Sequence, residues 1–187
     1  EVIHAGLYYP PGSLKAELCL EGRERLYAWC QQYAVAHQRI GKLLVAVNAA
    51  EQTQLEQLQA NARACGVDEL QALDAGQLMQ LEPAVRGVAA LLSPNSGIID
   101  SHGYLQSLLA VAEQNGAQLI LQSQVQRLAP SANGWLAEGR SQGEAFALHA
   151  TQVINSGGLF AQQLAQNTEG LRAELIPKLH LCQGRYF

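Results

Sequence analysis

The first sixteen residues contain the side chains in this sequence that are best suited to form a binding site. A β-branched pair, Val2 and Ile3, leads into a lone histidine, His4. A small Ala-Gly step then separates that histidine from two aromatic residues, Tyr8 and Tyr9. A strand end, a glycine that allows close backbone approach, a polar ring and aromatic side chains together suit the wall of a ligand pocket. Most strand–turn–helix junctions only connect elements, so the pattern alone leaves a structural role open.

The segment is followed by a predicted helix over residues 14–33. The turn at residues 10–12 precedes Ser13, whose side chain type caps helices, so we expect the helix to begin at Leu14. Apolar residues recur along it at helical spacing, which predicts a core face and an opposite, hydrated face that includes Arg23. The predicted core face consists of Leu18, Gly22, Leu26, Trp29, Cys30 and Tyr33.

The rest of the first 115 residues alternates predicted strands and helices. The expected strands are residues 41–47 and 88–92, and the expected helices are residues 51–65, 74–81 and 101–115. Asp100 directly precedes the last helix, and we predict that it caps this helix rather than taking part in catalysis. Helix-rich insertions of this kind commonly form a cap over a site.

The sequence becomes β-rich after Gly116. The expected strands are residues 118–121, 125–128, 135–137, 146–148, 151–158 and 177–187, with a helix over residues 160–166. The strong turn at residues 131–134 predicts that the strands around it form a short meander. Together with the first half, these elements predict a mixed α/β fold.

The composition is that of a globular protein without a surface for nucleic acid. The chain has 187 residues, of which 48% are hydrophobic and 15% charged, and 12 basic and 16 acidic residues give a net charge of −4. An acidic balance without a Lys/Arg cluster argues against nucleic-acid binding and against a polybasic membrane contact. No apolar run approaches the roughly 20 residues that a membrane-spanning helix requires.

The cysteines and histidines predict neither disulfides nor a metal site. Cys19 and Cys30 would lie about 16 Å apart along the predicted helix, too far for a disulfide, and none of the four cysteines forms a C-x-x-C pair. A reducing compartment, the cytoplasm, is therefore expected. The five histidines form no H-x-H or H-E-x-x-H motif, so no metal is expected.

Three stretches carry a resemblance to a known family: V-I-H-A-G-L-Y-Y-P-P-G-S-L-K-A at residues 2–16, G-K-L-L-V-A at residues 41–46 and S-G-I-I-D at residues 96–100. They resemble the L-2-hydroxyglutarate oxidase/dehydrogenase group of the D-amino-acid-oxidase-like FAD-dependent oxidoreductases. In that family a G-x-G-x-x-G fingerprint, which binds the FAD pyrophosphate, lies upstream of V-I-H-A-G, and it does not occur in these 187 residues. The chain also begins at Glu1 without methionine. We therefore expect an internal fragment that alone lacks FAD and is inactive.

The resemblance implies a division of the chain within a two-domain FAD-dependent oxidoreductase. Residues 1–115 would form the substrate/cap region, with a flavin-proximal N-terminal stretch. Residues 116–170 would form part of the FAD-binding sheet and domain, and residues 171–187 would begin the strand that returns to the substrate domain.

The resemblance also implies site residues. It places His4 beside the flavin and the substrate, where a neutral imidazole could accept the hydroxyl proton, although a histidine hydrogen-bonded for structure remains an equal alternative. It matches Val125 to a valine whose backbone meets the adenine, and residues 155–159 to a strand-to-helix turn close to FAD. The family turn is commonly Asn-Ala-Ala-Gly-Leu, so Ser156 and Gly157 depart from it, while Gly158 matches.

The implied activity is oxidation of a small 2-hydroxy acid, similar to L-2-hydroxyglutarate, to the 2-oxo acid. The flavin would be reoxidised by oxygen or by a membrane quinone, the second of which implies a peripheral membrane contact. An amine or amino-acid oxidase of the same family and a non-catalytic α/β binding module remain alternatives. An anionic diacid requires paired Arg or Lys contacts, which the sequence does not place.

Overall fold

The structure, a computed structural model, describes residues 1–184 and forms two compact units, Glu1–Ala117 and a second that begins at Gln118. The strands of the first unit are β1 (Val2–Ile3), β2 (His37–Gln38), β3 (Lys42–Ala46), β4 (Gln71–Asp74), β5 (Ala89–Ser93) and β6 (Gly97–Ile99). Its helices are α1 (Leu14–Gln32), α2 (Ala49–Ala64), α3 (Ala75–Leu81) and α4 (Ser101–Gln114). The predicted mixed α/β class is confirmed.

Two three-stranded antiparallel sheets organise the first unit, in the orders β1-β6-β2 and β3-β5-β4. Because β6 runs antiparallel to both of its neighbours, β1 and β2 run in the same direction on either side of it. Val2, Ile98 and Gln38 are level across the sheet. The chain segments that follow β1 and β2 therefore leave the sheet at the same end.

The central strand β6 tolerates no side chain at its first residue. A Cβ atom on Gly97 would collide with the hydroxyl of Tyr27, and it would lie 2.7 Å from the carbonyl oxygen of Gln38. The glycine thus lets α1 and β2 approach the middle strand closely.

Two apolar clusters form the core of the first unit. One contains Ala5, Leu7, Ala62, Val67, Leu70 and Leu91, and the other contains Ile3, Tyr27, Cys30, Val35 and Ile99. Ile3 and Leu7 are almost fully buried, and they belong to different clusters. The backbone between them is therefore held at both ends.

The face that helix α1 buries overlaps the predicted one only in part: Cys30 is buried, and Leu26 and Trp29 pack against the core while partly exposed. Its buried residues are Ala16, Arg23, Tyr27 and Cys30. The expectation that Arg23 is hydrated is wrong, since only 9% of its surface is exposed. Its guanidinium is paired instead, with Nη1 2.5 Å from Glu69 Oε1 and Nε 2.9 Å from Glu24 Oε1. A charged group can be buried in this way because its partners neutralise it and accept its hydrogen bonds.

The ion pair continues into a network that includes the turn between β5 and β6. Asn95 Nδ2 donates to Glu69 Oε1 at 3.0 Å, and the Tyr27 hydroxyl donates to the Asn95 carbonyl oxygen at 3.2 Å. Burial acts to raise the pKa of Glu69. The hydrogen bonds from Asn95 and Arg23, together with the charge of Arg23, outweigh burial and hold this pKa below its ordinary value.

The helix ends confirm the predicted caps. The Ser13 hydroxyl accepts a hydrogen bond from the Ala16 amide at the start of α1. Asp74 and Gln77 form a reciprocal capping box at α3. Asp100 Oδ1 accepts from the His102 amide at 3.1 Å, which makes it the N-cap of α4.

The second unit contains an antiparallel meander of β7 (Ser123–Ser131), β8 (Gly134–Ser141) and β9 (Glu144–Ala150). A 3-10 turn over Gly158–Phe160 then leads into α5 (Ala161–Gln166). The predicted meander is confirmed. No helix within residues 1–184 has the length and hydropathy to cross a membrane.

The strands predicted at residues 118–121 and 151–158 are wrong. Both segments lack strand pairing, and their apolar side chains are exposed, with 87% of the Ile154 surface accessible. An extended segment becomes a strand only when a neighbouring strand pairs with its amides and carbonyls. None of the described residues does so for these two segments. Of the strand predicted at residues 177–187, residues 177–184 are irregular, and residues 185–187 lie outside the described residues.

We expect the chain to lose stability as the pH falls through the lowered pKa of Glu69. Because folding lowers this pKa, the contribution of Glu69 is fully present above the pKa of the unfolded chain and is lost on protonation. At pH 7, Glu69→Gln should reduce the free energy of unfolding by about 1–3 kcal/mol, since buried Arg23 loses a carboxylate.

The matched control is Glu24→Gln, which removes the other, exposed carboxylate on Arg23. Its cost should stay below about 1 kcal/mol. Urea unfolding between pH 7 and pH 3 measures both variants. The deficit of Glu69→Gln should shrink toward low pH, and a deficit that is constant with pH would contradict the linkage.

The cap at Asp100 gives a second stability prediction. Asp100→Ala should destabilise the chain by about 1 kcal/mol, because the amide at the start of α4 loses its acceptor, whereas Asp100→Asn should retain most of the stability. Thermal unfolding followed by circular dichroism measures both. A complete protein carrying Asp100→Ala that has normal stability but no turnover would overturn the assignment as a cap.

Candidate functional site

The backbone of His4 is held in place by its buried neighbours, whereas its ring has no hydrogen-bond partner among the described residues. It directly follows β1, between Ile3 and Ala5, both of which are buried, while His4 itself is exposed. Gly6 turns the chain with a φ of +79°, a conformation that favours glycine. No hydrogen bond to the His4 imidazole is made by any residue within the described part of the chain. The alternative of a histidine hydrogen-bonded for structure therefore finds no partner there.

The His4 ring borders a cavity of about 490 Å³ along α1. Its wall includes Leu18, Gly22, Leu26 and Trp29. The prediction that this stripe packs into the core is wrong at Leu18, 55% of which is exposed. The orientation of α1 that buries Arg23 places these four residues along the cavity, while Leu26 and Trp29 also pack against the core. The apolar residues thus form a wall beside an imidazole.

Trp29 is the best-fixed side chain of this wall. Its indole Nε1 donates to Ser107 Oγ at 2.8 Å, and Ser107 in turn donates to the Tyr104 carbonyl oxygen at 2.7 Å. The Tyr104 ring, which also borders the cavity, meets the Trp29 ring edge-on at 6.5 Å between centroids. These contacts between α1 and α4 hold the wall in one arrangement.

The other charged groups at this cavity are paired with carboxylates, and its one thiol is unreactive. Arg23 is paired with Glu69, and Arg25 lies 2.5 Å from Glu21 one turn earlier on α1. Burial raises the pKa of the Cys19 thiol, against the opposing charge of Arg23, so this group stays a thiol near neutral pH. His4 is therefore the group at this cavity best able to move a proton.

A separate cleft of about 490 Å³ lies within the second unit. It brings together three residues that the sequence singles out, Val125 on β7 and Ser156 and Gly157 in the turn before α5. Gly158, the fourth, begins the 3-10 turn and is not part of the cleft lining. The structure thus joins Val125 to the turn although the two lie some thirty residues apart in the sequence.

Asn155 fixes the turn that borders this cleft. Its Oδ1 accepts from the Gly157 amide at 3.2 Å, and its Nδ2 donates to the Ala161 carbonyl oxygen at 2.8 Å. A Cβ atom on Gly157 would lie 3.3 Å from the Ala161 amide nitrogen, so a small residue keeps the turn tight. The backbone here can approach a bound ring closely.

The chemistry of the cleft fits the adenosine half of FAD and not its diphosphate. All of the lining side chains are apolar or neutral, among them Gln124, Gln126, Gln163 and Asn167. Amide groups and exposed backbone suit the hydrogen-bonding edge of an adenine and the hydroxyls of a ribose. A diphosphate requires cations or the amides of a helix N-terminus, and α5 has only six residues.

The sequence interpretation missed one residue of interest, Lys42 at the start of β3. Its Nζ donates to the Tyr8 hydroxyl at 2.9 Å and lies 5.0 Å from the centre of that ring. Lys42 lies in the G-K-L-L-V-A stretch quoted above, but nothing in the sequence indicates its partner, so only the fold reveals this contact. No group of three or more His, Cys, Asp or Glu side chains within residues 1–184 could hold a metal ion.

The chain belongs to the FAD-dependent oxidoreductase (DAO) family, whose model matches residues 1–187. It is 35% identical over 214 residues to the mitochondrial L-2-hydroxyglutarate dehydrogenase of Arabidopsis thaliana, covering 100% of this chain and 44% of that protein. It is 32% identical over 188 residues to the L-2-hydroxyglutarate dehydrogenase of Escherichia coli K12, covering 100% of this chain and 42% of that protein. The chain thus spans less than half the length of these relatives, and the predicted family is confirmed.

Solved structures show the same fold. L-α-glycerophosphate oxidase from Mycoplasma pneumoniae, with FAD bound, superposes with a TM-score of 0.77 at 27% identity, covering 90% of this chain and 45% of that one. Glycine oxidase from Geobacillus kaustophilus superposes with a TM-score of 0.74 at 20% identity, covering 89% and 46%.

The neutral cleft leads to a binding prediction. Residues 1–187 alone should be colourless and inactive and should contain no FAD. A few backbone hydrogen bonds of about 0.5–1.5 kcal/mol each do not offset the several kcal/mol of freedom lost on association. Titration of FAD with flavin fluorescence as the readout measures this. Saturable quenching at low-micromolar FAD would mean that these residues hold most of the site.

Proposed function

We propose that the complete protein is an FAD-dependent dehydrogenase that oxidises a small 2-hydroxy acid, similar to L-2-hydroxyglutarate, to the corresponding 2-oxo acid. The observation that carries the proposal is the free imidazole of His4 beside a rigid apolar wall. The similarity to L-2-hydroxyglutarate dehydrogenases over the full length of this chain supports it.

The proposed chemistry removes two hydrogens from the substrate. A hydride leaves C2 and a proton leaves the hydroxyl oxygen, so a carbonyl forms between the same carbon and oxygen. FAD, when bound, accepts the hydride. A neutral His4 takes the proton, help that is worth about 10²–10⁴-fold in rate. The apolar wall of Leu18, Leu26 and Trp29 lowers the polarity on one side of the imidazole and so strengthens its hydrogen bond to the substrate hydroxyl.

The cofactor-binding part of the proposal concerns Val125, Ser156, Gly157 and Gly158. Their backbone would hold the adenosine half of FAD, which the small side chains and neutral lining of the cleft support. Residues 1–115 would serve as the substrate/cap region, residues 116–170 as part of the FAD-binding domain, and residues 171–187 as the start of the returning strand.

The same family offers alternatives in substrate and acceptor. An amine or amino-acid oxidase and a non-catalytic binding module are less well supported, because the full-length relatives of this chain are named 2-hydroxy acid dehydrogenases. Oxygen or a membrane quinone would take the electrons, the quinone through a peripheral membrane contact. All four cysteines are free, which supports a reducing compartment such as the cytoplasm, while the Arabidopsis relative is named mitochondrial.

Replacement of His4 tests the proposed base. In the complete protein, His4→Ala should slow substrate-driven flavin reduction at least about 10²-fold and leave the FAD content near normal. Stopped-flow absorbance at the flavin band measures the rate.

His102→Ala is the matched control, since His102 is exposed in the first turn of α4 and is not part of the cavity wall. Its rate should equal that of the parent protein. Reduction of His4→Ala at the parent rate would make His4 structural and would require the base to come from elsewhere in the complete protein.

A further inference from the structure

Among the described residues that line the His4 cavity, Gly22 is the one without a side chain. It lies in the middle of α1, four residues after Leu18 and seven before Trp29, which border the same cavity. Residues at these spacings share one face of a helix. Apart from its chain neighbours and the backbone of its own helix, no atom of residues 1–184 would lie within 4 Å of a Cβ atom on Gly22. The wall therefore has a gap at Gly22 between two large apolar side chains.

The packing of the helices does not explain this glycine. Glycine destabilises the middle of a helix relative to alanine, because it loses more backbone freedom on folding. The other two glycines within α-helices of residues 1–184 lie beside capping carboxylates. A Cβ atom on Gly76 would lie 3.2 Å from Asp74 Oδ1, and a Cβ atom on Gly103 would lie 2.7 Å from Asp100 Oδ2. No such group of the described residues approaches Gly22, so the space beside it is available to a bound molecule.

The N-terminal segment brings His4 beside the gap. A Cβ atom on Gly6 would lie 3.6 Å from Cys19 Cβ, so Gly6 packs against the early part of α1. Ile3 belongs to the apolar cluster that contains Tyr27, in the later part of the same helix. The segment therefore runs along α1 in the direction opposite to the helix. His4, between Ile3 and Gly6, lies beside the stretch of α1 between these two contacts, and the gap is part of that stretch.

We infer that Gly22 determines which acids fit the His4 cavity, because the carbon chain of the substrate beyond C2 lies in the gap. The inference rests on the proposed function, in which His4 accepts the proton of the hydroxyl on C2. That hydroxyl must come within hydrogen-bond distance of the imidazole, so the substrate enters the cavity that both residues border. The cavity volume of about 490 Å³ is in the range of small-molecule sites.

A side chain at this position would displace the substrate. Apolar carbon atoms pack about 3.5–4.0 Å apart, so a methyl group on the helix occupies the volume that a substrate methylene takes beside glycine. A displacement on the order of 1 Å from the reactive geometry costs about 10²-fold in rate. An acid that ends soon after C2 does not reach the gap, and it escapes this cost.

The test separates stability from activity in the complete protein. Gly22→Ala should raise the thermal midpoint by about 1–3 °C, because alanine favours the helix. The same variant should lower kcat/KM for L-2-hydroxyglutarate at least about tenfold, and Gly22→Leu should lower it at least about 10²-fold. For L-lactate, whose chain ends one carbon beyond C2, Gly22→Ala should lower kcat/KM less than about threefold.

Ala28→Leu is the matched control. Ala28 is also exposed on α1 but is not part of the cavity lining. The variant adds a large apolar side chain outside the cavity, so the ratio of the kcat/KM values for the two acids should equal that of the parent. FAD content, measured by flavin absorbance, should match the parent in all three variants.

The outcomes distinguish the substrate from other occupants of the gap. If Gly22→Ala lowers the thermal midpoint or the FAD content, another part of the complete protein or the flavin fills the gap, and the inference is wrong. Equal losses for the two acids, or no loss, would also overturn it while the proposed function stands. If the parent oxidises only the longer acid, a more stable Gly22→Ala variant with full FAD content and a tenfold loss of activity supports the inference. If the parent oxidises neither acid, the proposed function is wrong, and the inference is overturned with it.

Discussion

The buried ion pair between Arg23 and Glu69 determines how α1 presents its two faces. With Arg23 turned inward, the helix buries Ala16, Tyr27 and Cys30 and places Leu18, Leu26 and Trp29 beside the His4 cavity. A guanidinium is costly to bury, so the geometry persists only while Glu69, which accepts a hydrogen bond from Asn95, and Glu24 both accept from Arg23. The arrangement of the cavity wall therefore depends on a polar contact made by Arg23, which borders the same cavity.

Local signals in the sequence were sufficient for elements whose ends are set by nearby residues. The caps at Ser13, Asp74 and Asp100 and the meander of the second unit were predictable because their hydrogen bonds connect residues close in sequence. The orientation of α1 was not predictable, because the spacing of apolar residues shows that the helix has an apolar face but not which part of the protein that face contacts. The strands expected at residues 118–121 and 151–158 failed for a related reason, since β-branched and apolar residues favour an extended chain, but pairing requires a partner strand.

The residues of the candidate sites also differ in how far the sequence alone could reveal them. Val125, Ser156 and Gly157 have small or apolar side chains, so only resemblance to a family could single them out, and the fold then brought them into one cleft. Lys42 lies in the G-K-L-L-V-A stretch that carries the resemblance, but its contact with Tyr8, more than thirty residues away in the sequence, is visible only in the fold. Charge that is fixed by neutral partners is a three-dimensional property. Counting acids and bases along the chain does not reveal it.

The central strand β6 fixes the separation between β2 and β1, the strand that His4 directly follows. Hydrogen bonding holds neighbouring strands about 4.8 Å apart, so the gap between β1 and β2 can change only by adding or removing a whole strand. Gly97 allows this close spacing, because any side chain there would push α1 and β2 away from β6. Any change in the space between the chain segments that follow β1 and β2 must therefore come from their side chains, because the separation of the backbones is fixed.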